Sequence, residues 1–500
     1  MKKLLLPALG ALSLLASCNF LDKQPLGTIT PDNFFQSAND AEASLTSAYD
    51  GLQQVGTYGQ DLLTMGEMPS DNCTTTNGDV NALEKIIWNS TTSQVYNVYR
   101  DNFQGANRAN IVLKYVPTVS MDTARRRQIV GEAQFLRALF YFNLARAYGG
   151  VPLRLQPSES GAPADVNTAR STQDQVLDQV VSDLQQAIVR MASSQANRAS
   201  KNSARALLAR VQLTRRNWAA ALAAANSVTG VTLNTTPNSL YPAENKGSES
   251  LFEVQFAGNA DSGNLFPDEI LPSPIATYSY PKFNIPTAEL IAYADTTRAN
   301  GDRRWSNNGL VTASSGAVVG RSYVSFINGT GSNNNDQGPF VYKWRSIGNG
   351  FNSVDNTYVL RYAETLLTAA EASNELNGPT AAALSPLNQV RQRAGLAALT
   401  AASPQALSKQ ALRNEIDRQR RLELAFEGER WWDLTRYARH TIADPSATHP
   451  VTALDLIATQ HSTGTAPNIV PGPRDPNYLI FPIPQTELNT NPLIVQNTGY

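Results

Sequence analysis

The sequence has 500 residues, 41 of them Lys or Arg and 42 Asp or Glu, for a formal net charge of −1; that balance excludes the electrostatic footprint of a nucleic-acid binder or of a protein held on an anionic membrane surface. Charged residues make up 17% of the chain, below the roughly 25% usual in globular proteins, and the Asn, Gln, Ser and Thr in their place suit neutral, hydroxyl-rich ligands or equally reflect the host's compositional habit. The two cysteines, Cys18 and Cys73, form no spaced cluster and His440, His449 and His461 lack ligand spacing, so neither a metal nor a cofactor is expected.

Lys2 and Lys3 precede an apolar run from Leu4 to Leu15, then Ala16, Ser17 and Cys18. This reads as a signal peptide over residues 1–17, because a transmembrane helix needs about 20 apolar residues. Cys18 directly after Leu15-Ala16-Ser17 resembles the lipobox of bacterial lipoproteins, in which that cysteine becomes the acylated first residue; an ordinary signal peptide with a chance cysteine is the alternative. Acyl chains, at about 0.8 kcal/mol per buried methylene, anchor a soluble body stably when more than one is attached. Cys73 is left as a single thiol, expected to be buried.

The mature chain opens as a tether from Asn19 to Thr30, and Pro31 and Asp32 start a helix with Phe34, Phe35, Ala41, Leu45, Ala48, Tyr49 and Leu52 on its apolar face. Met65 to Asn81, carrying Ser70-Asp71-Asn72 and several threonines, reads as a loop outside the core. Helical spacing returns from Tyr96 to Val116 through Tyr99, Phe103 and Ala106. Ala124 to Tyr148 is apolar nearly all round, as a buried helix is, and Gly149-Gly150 ends it. Thr172 to Met191 is amphipathic. Ser203 to Leu213 and Trp218 to Val228 form a helix pair whose small residues resemble a tetratricopeptide unit, a motif that buries a continuous core only by stacking.

From Leu233 to Thr357 Asn, Gly, Ser and Pro dominate, and alternating pieces such as Leu251 to Phe256 predict short strands among loops. Helices resume over Thr357 to Leu376 and Thr380 to Arg393. Leu412 to Arg436 then packs six arginines and six acids among large apolar residues. Arg413–Asp417 and Asp417–Arg421 stand at ion-pair spacing on a helix, Phe426 and Trp432 are expected to point inward, and Gly428 to interrupt the helix. With arginines so close, Glu423 and Glu427 should stay ionised, which suits a structural hub and not a general acid. The ending, Asn477 to Tyr500, uses Pro482, Pro484 and Pro492 to pre-set an extended strap.

Several pieces together resemble the SusD/RagB-like outer-membrane lipoproteins, the surface binding partners of SusC-like transporters. They are Cys18-Asn19-Phe20-Leu21-Asp22 with Pro25; Glu132-Ala133-Gln134-Phe135-Leu136-Arg137-Ala138 through Tyr148-Gly149-Gly150-Val151-Pro152; Leu360-Arg361-Tyr362-Ala363-Glu364; Asn388 to Gly395; the Leu412–Arg436 stretch; and Phe481-Pro482-Ile483-Pro484 through Gly499-Tyr500. The resemblance spans Cys18 to Tyr500. It implies a mainly α fold, a tetratricopeptide-like helix-pair scaffold with a loop-rich region containing a few short strands. The corresponding divisions are an N-terminal helical region over 18–230 and a C-terminal region over 231–500, loop-rich over 231–356, helical over 357–440 and extended over 441–500. It also implies a non-enzymatic protein, lipid-anchored at the outer membrane and surface-exposed, that captures an oligosaccharide and delivers it to a SusC-like TonB-dependent transporter. Peptide cargo, as in RagB-like relatives, is the variant.

Sugar capture needs flat apolar faces for the pyranose and planar polar groups for hydroxyl pairs. Candidates in the apparent loops are Asp71, Asn72, Trp88 and Tyr96, and a second group of Tyr278, Tyr280, Trp305, Tyr323, Tyr342, Trp344 and Arg345; ordinary packing competes for every aromatic. A surface glycoside hydrolase would need two carboxylates about 5–9.5 Å apart in a cleft, and outside the arginine-rich stretch no such pair stands out.

Overall fold

The computed structural model describes residues 34–500 apart from 159, 195–196, 236–239, 241–246, 259–262, 273–275, 277–278, 312–317, 320–323, 331–333, 345–349 and 461–472. The fold is mainly α. Helix α1 (Ala38–Asp50) buries Ala41, Leu45 and Ala48, the face its spacing predicts, and α2 is Asp61–Glu67. Helices α3 (Ser93–Tyr115) and α4 (Thr123–Tyr148) pack along each other, with α5 (Gln173–Arg190) on the other flank of α4. The Asp122 carboxylate caps α4 by accepting from Arg125 N at 2.7 Å, and Gly149 stops it at φ +72, a conformation that favours glycine. Thr172 and Gln175 cap α5 reciprocally.

The pair α6 (Lys201–Thr214) and α7 (Trp218–Asn226) leads on to a second pair, α8 (Tyr362–Asn377) and α9 (Ala381–Arg393), with α7 seated on α8. Helix α10 (Lys409–Leu424) packs across α8 and is followed by α11 (Arg430–Ala443). Successive pairs stack in this way into the scaffold that the small-residue pattern predicts.

The segment between the two pairs carries short strands, and a further helix at Ala288–Ala299 that sequence texture did not reveal. One antiparallel pair joins Ser250–Val254 to Thr357–Arg361, so the helix expected from Thr357 starts only at Tyr362. Thr357, Tyr358 and Val359 are β-formers buried on both faces, and pairing with another strand satisfies their backbone. Cys73–Thr74 pairs with Ile285–Pro286, and a four-stranded sheet spans Trp305 to Val341.

Met65 to Asn81 is the main correction. Met65, Met68, Ser70, Asp71, Asn72 and Cys73 are all buried, because the hub reaches out to hold them. Arg430 Nε and Nη2 donate to the two Asp71 oxygens at 2.8 and 3.0 Å, and Arg421 Nε donates to Asn72 Oδ1 at 2.9 Å. The Glu67 carboxylate accepts from Phe426 N at 3.0 Å and Gly428 N at 3.2 Å. The hub itself breaks where Gly428 predicts: α10 ends at Leu424, and Phe426 and Gly428 adopt φ +63 and +76. A Cβ on Gly428 would also meet Leu63 Cα at 2.8 Å. Phe426 and Trp432 point inward.

The helical ion pairs Arg413–Asp417 and Asp417–Arg421 do not form. Arg413 Nε reaches Glu375 at 2.7 Å, Asp417 accepts from Arg430 at 2.6 Å, and Arg421 Nη1 reaches Glu289 at 3.0 Å. These side chains are buried, so each takes the tertiary partner that satisfies the most donors and acceptors, and exposed-helix spacing loses its force. Glu423 meets Arg304 at 3.0 Å, Arg361 at 2.7 Å and Arg393, while Glu427 meets Lys343 at 2.5 Å and Arg361 at 2.8 Å.

The C-terminal strap is threaded into the body. Phe481 and Ile483 are fully buried, and Phe481 N donates to Ala147 O at 2.7 Å. Asn497 Nδ2 donates to Tyr148 O at 3.1 Å, and Tyr500 Oη accepts from Trp88 Nε1 at 2.6 Å. Within the strap a short helix, α12 (Gln485–Thr490), follows Pro484.

Candidate functional site

A cleft of about 340 Å³ opens between α3, α4, the segment leaving α4, and α12. Helix α3 supplies Tyr96, Tyr99 and Phe103, whose i, i+3, i+7 spacing stacks them on one face, and α4 adds Tyr141. The Tyr99 and Phe103 ring centroids are 4.7 Å apart, and Tyr141 meets Phe103 edge-on at 6.1 Å. The Arg100 guanidinium lies 5.2 Å from the Tyr96 ring centroid while its Nε donates to Asp101 at 2.6 Å.

The facing wall is the extended segment after Gly150, with Pro152, Arg154 and Ser158. Its backbone is fixed from below. Tyr141 Oη donates to Arg154 O at 2.7 Å and accepts from Arg154 N at 2.8 Å. Asn110 Nδ2 also donates to Arg154 O, at 2.8 Å, and Asn110 is held in turn by Arg137, which forks onto Asp183. The third side is Thr486 and Glu487 of α12.

Two polar groups of the cleft are unsatisfied. The Tyr99 side chain is 4% exposed, and its hydroxyl and the buried Arg154 Nε have no hydrogen-bond partner among the described residues. Burial, reinforced by the Glu487 carboxylate, pushes the Tyr99 phenol well above its ordinary range. Burial likewise raises the Glu487 carboxyl, and Arg154 offsets part of that rise. The arrangement offers rings to the apolar face of a ligand and planar polar groups to its edge. Glu487 is the sole carboxylate lining the cleft among the described residues, so no acid–base pair faces it.

The residues proposed from sequence divide sharply. Tyr96 lines the cleft. Asp71, Asn72, Trp88, Trp305, Tyr342 and Trp344 are buried instead: Asp71 and Asn72 serve the hub, Trp88 packs 4.3 Å from Phe481, and Trp344 meets Phe266 edge-on at 5.5 Å. Large rings flanked by polar sequence read as exposed, whereas the strap and the short strands cover them. Tyr280 stays half-buried in the loop-rich half, edge-on to Phe351 at 5.6 Å, and is not part of the cleft. Cys18, Tyr278, Tyr323, Arg345 and His461 lie outside the described residues.

The reading missed Tyr99, Phe103, Tyr141, Arg154 and Glu487. The first two announce themselves only as an apolar helical face, which is also what a core face looks like. The hub offers no alternative site. Burial alone would raise the Glu427 carboxyl, but Arg361 and Lys343 outweigh it and hold it below its ordinary value, as an ion pair requires and a general acid does not. His440 Nδ1 and His449 Nε2 stand 3.2 Å apart, and among the described residues no group of three or more His, Cys, Asp or Glu is placed to hold a metal ion.

Two family models match the sequence: one described as the SusD family, over residues 290–500, and one described as starch-binding associating with outer membrane, over residues 19–213. SusD-like protein P25 of Formosa agariphila is 28% identical, with 97% of each chain covered. SusD-like protein P38 of the same organism is 29% identical over 87% of this chain and 90% of its own. Among solved structures, a SusD homolog from Bacteroides thetaiotaomicron superimposes with a TM-score of 0.75 at 22% identity, covering 94% of this chain and 98% of that one. A laminarin binding SusD-like protein superimposes with a TM-score of 0.71 at 24% identity, covering 93% and 100%.

Proposed function

Since the chain belongs to the SusD family, we propose that it is a cell-surface lipoprotein that captures oligosaccharide in the Tyr96 cleft without chemically altering it. Acylated Cys18 holds it to the outer membrane, and a SusC-like TonB-dependent transporter receives the cargo. The observation that carries the reading is the cleft itself: four aromatic side chains, Tyr96, Tyr99, Phe103 and Tyr141, opposite a backbone wall, with unsatisfied polar atoms and a single carboxylate. Binding of laminarin by a protein of the same fold and the starch-binding, outer-membrane description of the family support it.

The test uses the soluble body from Asn19 onward on a glycan and peptide array, followed by calorimetry. Tyr96→Ala and Phe103→Ala should each weaken glycan binding by about tenfold, in keeping with about 0.5–1.5 kcal/mol for an aromatic contact beyond its buried area. Unchanged affinity in both variants, exclusive peptide binding, or turnover of the bound glycan would each overturn the reading. Separately, Cys18→Ser should release the protein from the membrane fraction, and co-purification with the transporter tests the partnership.

A further inference from the structure

We infer that the cleft takes an acidic oligosaccharide, one bearing a carboxylate or sulfate, and that Arg154 is the residue that recognises the oxyanion. This rests on the cleft being the ligand site. Two arginines line the cleft, and they differ. Arg100 is engaged by Asp101, through Nε to Oδ1 at 2.6 Å and Nη2 to Oδ2 at 3.1 Å, and its charge is spent there. Among the described residues, Arg154 is anchored by its backbone, to Tyr141 and Asn110. Its Nε is buried with no hydrogen-bond partner among the described residues, although a guanidinium is built to donate two parallel bonds to one oxyanion.

The Tyr99 hydroxyl, also buried and without a partner, lines the same cleft and can donate a further bond. Unsatisfied donors on two residues that line one cleft call for acceptors, and a carboxylate or sulfate accepts more strongly than a sugar hydroxyl. Glu487 is the competing anion. It leaves Arg154 Nε without a partner among the described residues, so that donor is not taken up by the competing carboxylate. The low charge content of the whole chain suits a neutral ligand or equally reflects the host's compositional habit; affinity is set by the few groups that face the cargo, and in this cleft they include a cation.

The experiment measures binding of uronic-acid and sulfated oligosaccharides, each against its carboxyl-reduced or desulfated parent, in wild type, Arg154→Gln, Arg154→Lys and Arg100→Gln. Wild type should prefer at least one acidic member over its parent by about tenfold or more, with affinity that falls as salt rises. Arg154→Gln should bring the pair to equal affinity, Arg154→Lys should retain part of the preference, and Arg100→Gln should change it little. Which series is preferred separates carboxylate from sulfate. Equal binding of acidic and neutral members by wild type, or a preference that survives Arg154→Gln, overturns the inference and leaves the cleft standing as a glycan site. No glycan binding at all, in a protein whose melting temperature is normal, overturns the inference together with the cleft reading.

Discussion

Arg430→Ala should destabilise the protein severely and leave glycan preference untouched. Arg430 is 3% exposed and makes three charged hydrogen bonds, two to Asp71 and one to Asp417 Oδ1 at 2.6 Å. Its removal is unequal in its effects. Asp71 keeps Arg421, whose Nε lies 3.3 Å away, but Asp417 is 5% exposed and loses its one ion-pair partner among the described residues. Breaking one side of a buried pair costs about 3–5 kcal/mol, chiefly because the surviving charge is stranded out of water; with Asp71 still compensated, the lower end, about 3 kcal/mol, applies. Chemical denaturation of the soluble body reads this as a fall in midpoint at constant slope. Adding Asp417→Asn to Arg430→Ala should recover part of the loss, since it removes the stranded charge. A loss under about 1 kcal/mol would refute the assignment of a buried, unreplaced counterion. So would an altered glycan affinity in a variant of unchanged stability.

Trp344→Ala should cost about 3–5 kcal/mol, as emptying a buried tryptophan site does, with glycan binding per folded molecule unchanged; a normal melting temperature with lost binding would return Trp344 to the ligand surface. Glu67, raised by burial to about 7 from its ordinary 4.5, holds its proton more tightly in the folded state, so its contribution to stability falls as pH rises through that window. Taken as the difference between wild type and Glu67→Gln, the fall between pH 6.5 and 8 should be about 1 kcal/mol, and a flat or rising difference would contradict it. The difference also cancels His440 and His449, whose lowered values act in the opposite direction and mainly below pH 6.5. Burial, then the nearby Glu67 charge, pushes the Cys73 thiol well above its ordinary value, so thiol reagents should modify it only on unfolding; rapid labelling of native protein would show an open path to it.

Residues whose environment is local were legible. The helix Thr123–Tyr148 is buried nearly all round from Gln128 onward, as its mostly apolar pattern predicts, and Gly428 marks the break between α10 and α11 because no side chain fits beside Leu63. Legibility failed where a partner arrives from far along the chain. Ser70-Asp71-Asn72 carries the polarity of a surface loop, yet Arg421 and Arg430, some 350 residues on, supply the charges that let it be buried. Trp88 reads as an exposed ring until Phe481 and Tyr500 of the strap cover it.

The same logic explains why the cleft was half visible. Its floor is a local pattern, Tyr96, Tyr99 and Phe103 on one helix, but periodicity shows only that the rings share a face, and a core face has the same period. What turns that face into a site is the segment at Arg154 and the α12 residues Thr486 and Glu487, separated from it by about 50 and about 390 residues of sequence. The strap places α12 there because Phe481 and Asn497 bond to the end of α4. The closing Phe-Pro-Ile-Pro run is therefore a structural device that also completes the cleft wall. The hub fixes the frame through buried ion pairs, and the cleft differs from it in that its unmatched donors, Tyr99 Oη and Arg154 Nε, belong to residues lining a space that a ligand can enter.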